Sequence, residues 1–574
     1  MPLTPLKAVV GGIVALLSLG FVAPGAAVAA PGDPAGIARV AAIFPLTTPE
    51  TRTALISADA LAGYTAPTGA LTRDLDAVID TPAAIGIDPM ILASIRVLGT
   101  DAPPSALEWL DRLSLATNET FALTYADSDI TLGLQAGSPA VLGPTSFDFA
   151  IDPGKFAAAP VDDPTESPSP SPTETPDDST PVLPTTESLL AWEYTVPTIA
   201  WPVAGTVIGT DLTTITGSGY TTTILGSGNV SRADESRAMA TVGDVSTVTT
   251  DDGLSALFTS TSSTQDMGAW MTNLTELQFA IDARAATGDP EGATVVLALD
   301  RSNLATATRL GATLANVDAL PSSNVVPFSS VLDTAPGTAT LVDQPESEAR
   351  VAAARTLLAT EASDASFATV AANPELITGE RRLRALTTMS TAWNSYPGGW
   401  SSALTLYGAE SETLHNSVRV VRSSEITLFA DRASLYVTVT NELGQPVNVN
   451  INVVAPTPLL EIEQSPVTIT IEPDSQKRGA IPVESLSNGT AVISISISST
   501  VGVPVGSPTT VAINVYAGWE TPITVALGIF VVGVFGFGIA RLIVRRRRAR
   551  RQLADGDVVD GDTVDSDLVE KASE

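Results

Sequence analysis

From Pro522 to Ala540 the chain reads PITVALGIFVVGVFGFGIA, nineteen residues without a charge, and from Arg541 to Arg551 it reads RLIVRRRRARR, with seven arginines in eleven positions. As a helix the first stretch would rise about 28 Å, close to the hydrocarbon thickness of a bilayer. It offers no polar face to water, as a helix packed on a soluble core does. Lys and Arg beside a span stay on the cytoplasmic side and hold anionic headgroups. Residues 521–544 are therefore predicted to form one transmembrane helix. Trp519 is expected at one lipid interface, and Arg545, Arg546, Arg547, Arg548, Arg550 and Arg551 are expected to anchor the other. The tail at 545–574, basic and then acidic, shows no apolar periodicity and is expected to lie in the cytoplasm without fixed structure.

At the other end Lys7 is followed by an apolar run and by the small-residue site Ala27-Val28-Ala29. This is the pattern of a secretory signal peptide at 1–29, with cleavage after Ala29. Residues from 35 to about 521 are then delivered across the plasma membrane. The chain carries a formal net charge of -33, and the eight basic and eight acidic residues from Arg541 onward cancel, so all of it falls on the preceding part. Such a surface repels nucleic acid, which is excluded as a partner. No cysteine is present, which removes disulfides, thiolate metal sites and a Cys nucleophile. The length of 574 residues predicts more than one folded unit, since single cores rarely grow beyond about 250–300 residues.

Residues 160–187 hold eight prolines and no basic residue, a composition that cannot form a core. On both sides of it, short apolar runs alternate with helical patterns. Strands are expected at 41–46, 84–89, 120–127, 198–203, 222–228, 245–252, 294–301 and 324–332. Strand-then-helix order predicts a parallel sheet, open or closed into a barrel, so residues 35–343 are read as an α/β barrel-like domain with the proline-rich stretch looping out. Residues 344–417 are read as a helical segment. From 418 to 517 seven short runs alternate apolar and polar residues, as in an antiparallel β-sandwich. The whole is thus expected to be multidomain α/β plus β: a (β/α) barrel-like head with attached helices, an Ig-like antiparallel sandwich and a single C-terminal transmembrane helix.

With this layout in place, LYVTVTNELGQPVNVNINV, IPVESLSNGTAVISIS, the apolar span and its arginines resemble the actinobacterial DUF6049 family, exported and C-terminally anchored proteins of unknown activity. IDPMIL and LTYADSDITLG look like that family's Asp-Pro and Tyr-x-Asp-x-Asp at strand ends. The family's genes commonly lie beside that of the lipid II flippase, so the resemblance implies work in cell-envelope assembly. No catalytic residues are established for the family, and none is carried over.

His415 is the only histidine, which leaves no His-rich metal site and makes a packing role the expectation for it. Asp88, Asp127, Asp129, Asp251, Asp252 and Asp300 stand at or just after strand ends. A pair of carboxylates is what glycoside hydrolysis needs; aspartate at such places is also a common helix cap and turn former. Trp201, Trp393 and Trp400 could stack on sugars or pack inside. GSGNVS and GSGY lack the third glycine of a dinucleotide loop and are read as turns, so no cofactor is expected. The expected function is a non-enzymatic binding or scaffold role in the cell envelope, with membrane lipid and a cell-wall glycan or envelope-assembly membrane proteins as partners. The alternative is a glycan-active enzyme using the rim carboxylates.

Overall fold

The computed structural model describes residues 36–156, 182–287, 293–301, 308–421, 426–428, 430, 432–516 and 520–552. The expected signal peptide, most of the proline-rich stretch, Trp519, the side chains of Arg550 and Arg551 and the tail beyond Gln552 lie outside the described residues. What is described is a mixed α/β chain with a β-rich C-terminal part and an apolar helix at its end.

Eleven described strands build the head: β1 (Ala38–Leu46), β2 (Ala84–Ile87), β3 (Thr120–Ala122), β4 (Ile199–Ala200), β5 (Thr222–Gly226), β6 (Val230–Arg232), β7 (Met239–Val242), β8 (Val245–Thr250), β9 (Thr294–Ala298), β10 (Ser323–Val325) and β11 (Gly337–Leu341). β1 is central to the first sheet. It pairs with β9 along one edge, and on the other with β10 at its start and β2 at its end, all parallel. β3 extends this sheet beyond β2. Strands from before and after the proline-rich stretch therefore share one sheet. The second sheet has the order β4-β5-β8-β7-β11-β6, with β4, β5 and β8 parallel and β7 folded back on β8. The two sheets meet where Val196 N donates to Thr120 O at 2.9 Å, and again where Asp251 N donates to Val296 O at 3.1 Å.

A strand covered on both faces reads as a continuous apolar run, which is why ARVAAIFPL lacks alternation. Its Val40, Ala42 and Phe44 pack under the surrounding helices. Ala41 and Ile43 face the other way and pack with Phe121, Ile224, Val248 and Val296. The strand expected at 324–332 ends at Val325, because Pro327 starts a helix at Phe328–Leu332. That expected at 120–127 stops at Ala122 and gives way to the tight turn Tyr125–Asp127.

Three helices, Glu348–Ala368, Glu375–Thr388 and Pro397–Asn416, follow the head. Then come β12 (Val418–Val420), β13 (Ile426–Leu428), β14 (Arg432–Asn441), β15 (Val447–Val454), β16 (Leu460–Ile462), β17 (Val467–Ile471), β18 (Ser475–Ser485), β19 (Gly489–Ser499) and β20 (Pro504–Val515). They form two sheets, β12-β14-β18-β16 and β13-β20-β19-β15-β17, around Leu435, Val437, Val449, Ile451, Ile481, Ile493 and Ile513. All pairs are antiparallel except that of β13 with β20. The last helix, Glu520–Gln552, contains the stretch Ile523–Arg548, whose most apolar window of eighteen residues has mean hydropathy 2.4 and is not buried in the protein; it is long and apolar enough to cross a membrane.

Asn441 ends β14 fully buried. Its amide donates to the carbonyls of Gln445, Ile471 and Glu472, while its Oδ1 accepts from Leu443 N at 2.9 Å. Asn441→Ala leaves buried carbonyls and an amide unpaired, and is expected to lower sandwich stability by about 2–4 kcal/mol. Urea unfolding followed by near-ultraviolet circular dichroism checks this.

Candidate functional site

Asp88 ends β2 and caps the helix Pro89–Val97, where the proline at N1 gives up no needed donor. Its Oδ1 accepts from Met90 N at 2.8 Å and from Ala126 N at 2.8 Å. The second bond holds a costly turn. Ala126 and Asp127 both sit in the left-handed region, at φ 57° and 44°, at about 1 kcal/mol or more each for a residue with a Cβ. Burial pushes the Asp88 carboxyl up to about 8 against the pull of those amides, and the nearby Asp127 adds to the rise.

The strained turn aims Asp127 at the helical segment. Its Oδ2 accepts from the Thr391 hydroxyl and lies 3.1 Å from Arg301 Nε, an ion pair without hydrogen-bond alignment. Burial raises the Asp127 carboxyl even so. Arg301 also donates to Trp201 O at 2.6 Å, and its guanidinium lies 4.5 Å from the Trp201 ring centre. Asp129 caps the helix Ile130–Gln135 through Leu132 N at 3.1 Å and pairs with Arg350 at 3.1 Å. Arg350 reaches Glu346 Oε2 at 3.3 Å, donates to Asn394 and lies over the Trp400 ring at 5.4 Å. Burial pushes Glu346 up to about 7, and the carboxylate of Asp129 beside it contributes.

On the far side of the rim, Asp251 caps Asp252–Ser263 through Leu254 N at 3.0 Å and pairs with Arg284 at 2.5 Å. Asp252 accepts from Gly228 N at 2.8 Å. A Cβ on the preceding Gly226 would lie 2.8 Å from Asp252 Oδ1, so a larger residue there would push the Asp252 carboxylate aside. The backbone of Asp300 donates to Thr259 Oγ1 at 3.2 Å.

The ends of β4, β5, β8 and β9 surround a cleft of about 510 Å³, closed on one side by Thr391, Asn394 and Ser395 from the helical segment. Of the six strand-end aspartates, Asp252 and Asp300 line it, with Arg301 and Trp201. Asp88, Asp127, Asp129 and Asp251 do not. They cap helices or hold arginines around it. Trp393 and Trp400 donate to the carbonyls of Thr387 and Thr388, and His415 stacks on Phe367 at 4.9 Å with Nε2 3.1 Å from Asp364. Among the described residues no group of three or more His, Asp or Glu stands close enough to hold a metal ion. Sequence reasoning missed Arg301, Arg350, Glu346 and Asn394. Arg301 had a visible signal, a cation directly after Asp300 at a strand end in an acidic chain. Asn394 had none.

The carboxyls of Asp88 and Glu346 hold protons in the fold at pH values where the unfolded chain has lost them. Folding therefore takes up protons between about pH 4 and 8, and stability falls as pH rises through that window. A thermal-melting series from pH 4.5 to 8 is expected to decline steadily, and Glu346→Gln to flatten the slope. A flat profile for the unaltered protein would refute this.

No curated protein is a significant match to the chain. Among solved structures, the α-amylase AmyC from Thermotoga maritima aligns at 8% identity over 67% of this chain and 93% of its own, with a TM-score of 0.40. Escherichia coli α-2-macroglobulin aligns at 21% identity over 17% of this chain with a TM-score of 0.14, and the match spans 6% of its length. A PapD-like domain of human CEP192 aligns at 8% identity over 18% of this chain and 84% of its own, with a TM-score of 0.14. The profile of a family of unknown function, DUF6049, matches residues 29–557, and the chain belongs to that family.

Proposed function

We propose that this protein is a single-pass plasma-membrane protein whose exported head binds a cell-wall glycan without cleaving it, in a scaffold role during envelope assembly. The observation that carries the non-enzymatic part is the engagement of the rim carboxylates. Asp88, Asp129 and Asp251 cap helices, Asp127, Asp129 and Asp251 pair with arginines, and Asp252 receives an amide. A hydrolase keeps two carboxyls clear for the scissile bond.

The head is read as a closed (β/α) barrel. Its support is the pair of hydrogen bonds that join the two sheets, Val196 to Thr120 and Asp251 to Val296. The cleft then opens at the C-terminal ends of the strands, where such folds build sites. Its volume suits a small ligand. Carboxylates at Asp252 and Asp300, the amide of Asn394 and the hydroxyl of Ser395 match the hydroxyls of a sugar. The orientation rests on Arg541 and Arg545 to Arg548 following the apolar helix. That Asp252 and Asp300 line one cleft favours a second reading, a glycan-active enzyme, and one experiment separates the two.

Full-length protein in detergent is incubated with peptidoglycan strands and with arabinogalactan. Saturable binding without new reducing ends is expected, weakened about tenfold by Asp300→Asn through loss of charge-assisted hydrogen bonds. Reducing ends released by the protein, and abolished by that same change, would establish the enzyme instead. External protease on intact cells is expected to remove the head and spare the acidic tail.

A further inference from the structure

We propose that the sandwich rests on the membrane it is tethered to, its outer end lodged in the lipid headgroup layer through Pro456, Pro458, Leu486 and Tyr516. The inference relies on reading Ile523–Arg548 as a span, and the experiment below tells the two apart.

Strand register gives the sandwich two distinct ends. At one end Asn448 N donates to Val370 O at 2.7 Å and Ala371 bridges Val447, so this end meets the helical segment. Val449 pairs with Ser499 there. At the other end Gly489 pairs with Val515, and Tyr516 N donates to Leu428 O at 2.9 Å. Ten residue steps along β19 lead from Gly489 to Ser499, about 33 Å at strand rise. The chain leaves for the apolar helix from the second end. Only residues 516–519 lie between Val515 and Glu520, so whatever path they take the helix begins within about 18 Å of β20.

That end carries exposed apolar groups beside the polar turn Ser487-Asn488-Gly489. Leu486 in the turn between β18 and β19 is 42% exposed and Tyr516 54% exposed. Pro456 and Pro458 are exposed on the neighbouring loop, which Leu486 N joins by donating to Leu459 O at 3.0 Å. The charges nearby set the depth. Glu461 is exposed, and Arg432 lies 3.3 Å from both Glu463 and Glu484. Such groups stay out of hydrocarbon, and their net negative charge keeps them on the water side of the headgroups. The contact is shallow and made by the prolines, Leu486 and the tyrosine, a residue that settles at such an interface. A lipid surface is therefore the occupant that fits both the short tether and the mixed chemistry.

The absence of cysteine makes the test clean. Leu486→Cys, Pro458→Cys and, at the head end, Val501→Cys, a position 72% exposed in the turn between β19 and β20, are each labelled with an environment-sensitive fluorophore. The full-length chain is reconstituted into phosphatidylethanolamine and phosphatidylglycerol vesicles carrying headgroup nitroxide lipids. Labels at 458 and 486 are expected to shift to the blue and be quenched at least twofold more than the label at 501. If the protein floats with the vesicles but all three labels are equally unquenched, the resting contact is overturned and the span stands. If the protein does not float, the span itself is overturned and the contact with it. Two independent tip positions guard against one substitution disturbing the fold.

Discussion

A carboxylate buried at the end of a strand must find donors, because an unpaired charge in low dielectric costs several kcal/mol. In this chain the donors come from two sources. Helix N-termini satisfy Asp129 and the half-buried Asp251, a few arginines neutralise Asp127, Asp129 and Asp251, and Asp88, capping its own helix, escapes the cost by keeping its proton. Arg301 sits in the rim itself, and Arg350 belongs to the helix that follows the head. The head is thus tied to the helical segment by charge as well as by packing, and the cleft wall at Thr391, Asn394 and Ser395 is held where Asp127 and Arg350 grip it.

The same logic recurs one layer further along. Asp364, fully buried in the helix Glu348–Ala368, receives Arg381 at 2.6 Å and the hydroxyl of Ser411. Arg381 in turn donates to Tyr407 O at 3.0 Å, and its guanidinium lies 3.6 Å from the ring centre of Tyr407. Replacing such a buried pair by apolar groups often costs little, whereas removing one partner strands a charge. These pairs therefore fix how the three helices register on one another more than they add to stability.

Much of this was legible in the residues, for physical reasons that differ by region. The sandwich was readable because one face of each strand is wet, so VNVNINVV alternates in the sequence as it does in burial. The apolar helix was readable because Pro522 to Ala540 carry no charge and leave no polar face for water. The head was harder. β4, β6 and β10 are two or three residues long, too short for a period to show, and Pro327 converts the end of an apolar run into a helix. β6, β7 and β11 were not expected at all. Strand-end aspartates were visible as candidates, but which of them face the cleft depends on Thr391, 264 residues from Asp127, and on the turn at Ala126. Neither leaves a local trace.

The helices do more than wall the cleft. Phe367 and Val370, at the end of the helix Glu348–Ala368 and just beyond it, are counted in the sandwich core with Val447 and Ile451, and Ala372 N donates to Pro446 O at 2.9 Å. The helix that presents Arg350 to the head at one end therefore plugs into the sandwich at the other. A connection made by buried side chains at both ends resists bending far better than an exposed linker, whose relative motion is the default between domains. The consequence is a cleft held away from the root of the apolar helix: the sandwich alone interposes about 33 Å between the helices and the end from which that helix departs. Were the proposed wall glycan the ligand, that fixed reach would decide which layer the cleft meets, since a site that cannot span the gap gains nothing from its contacts.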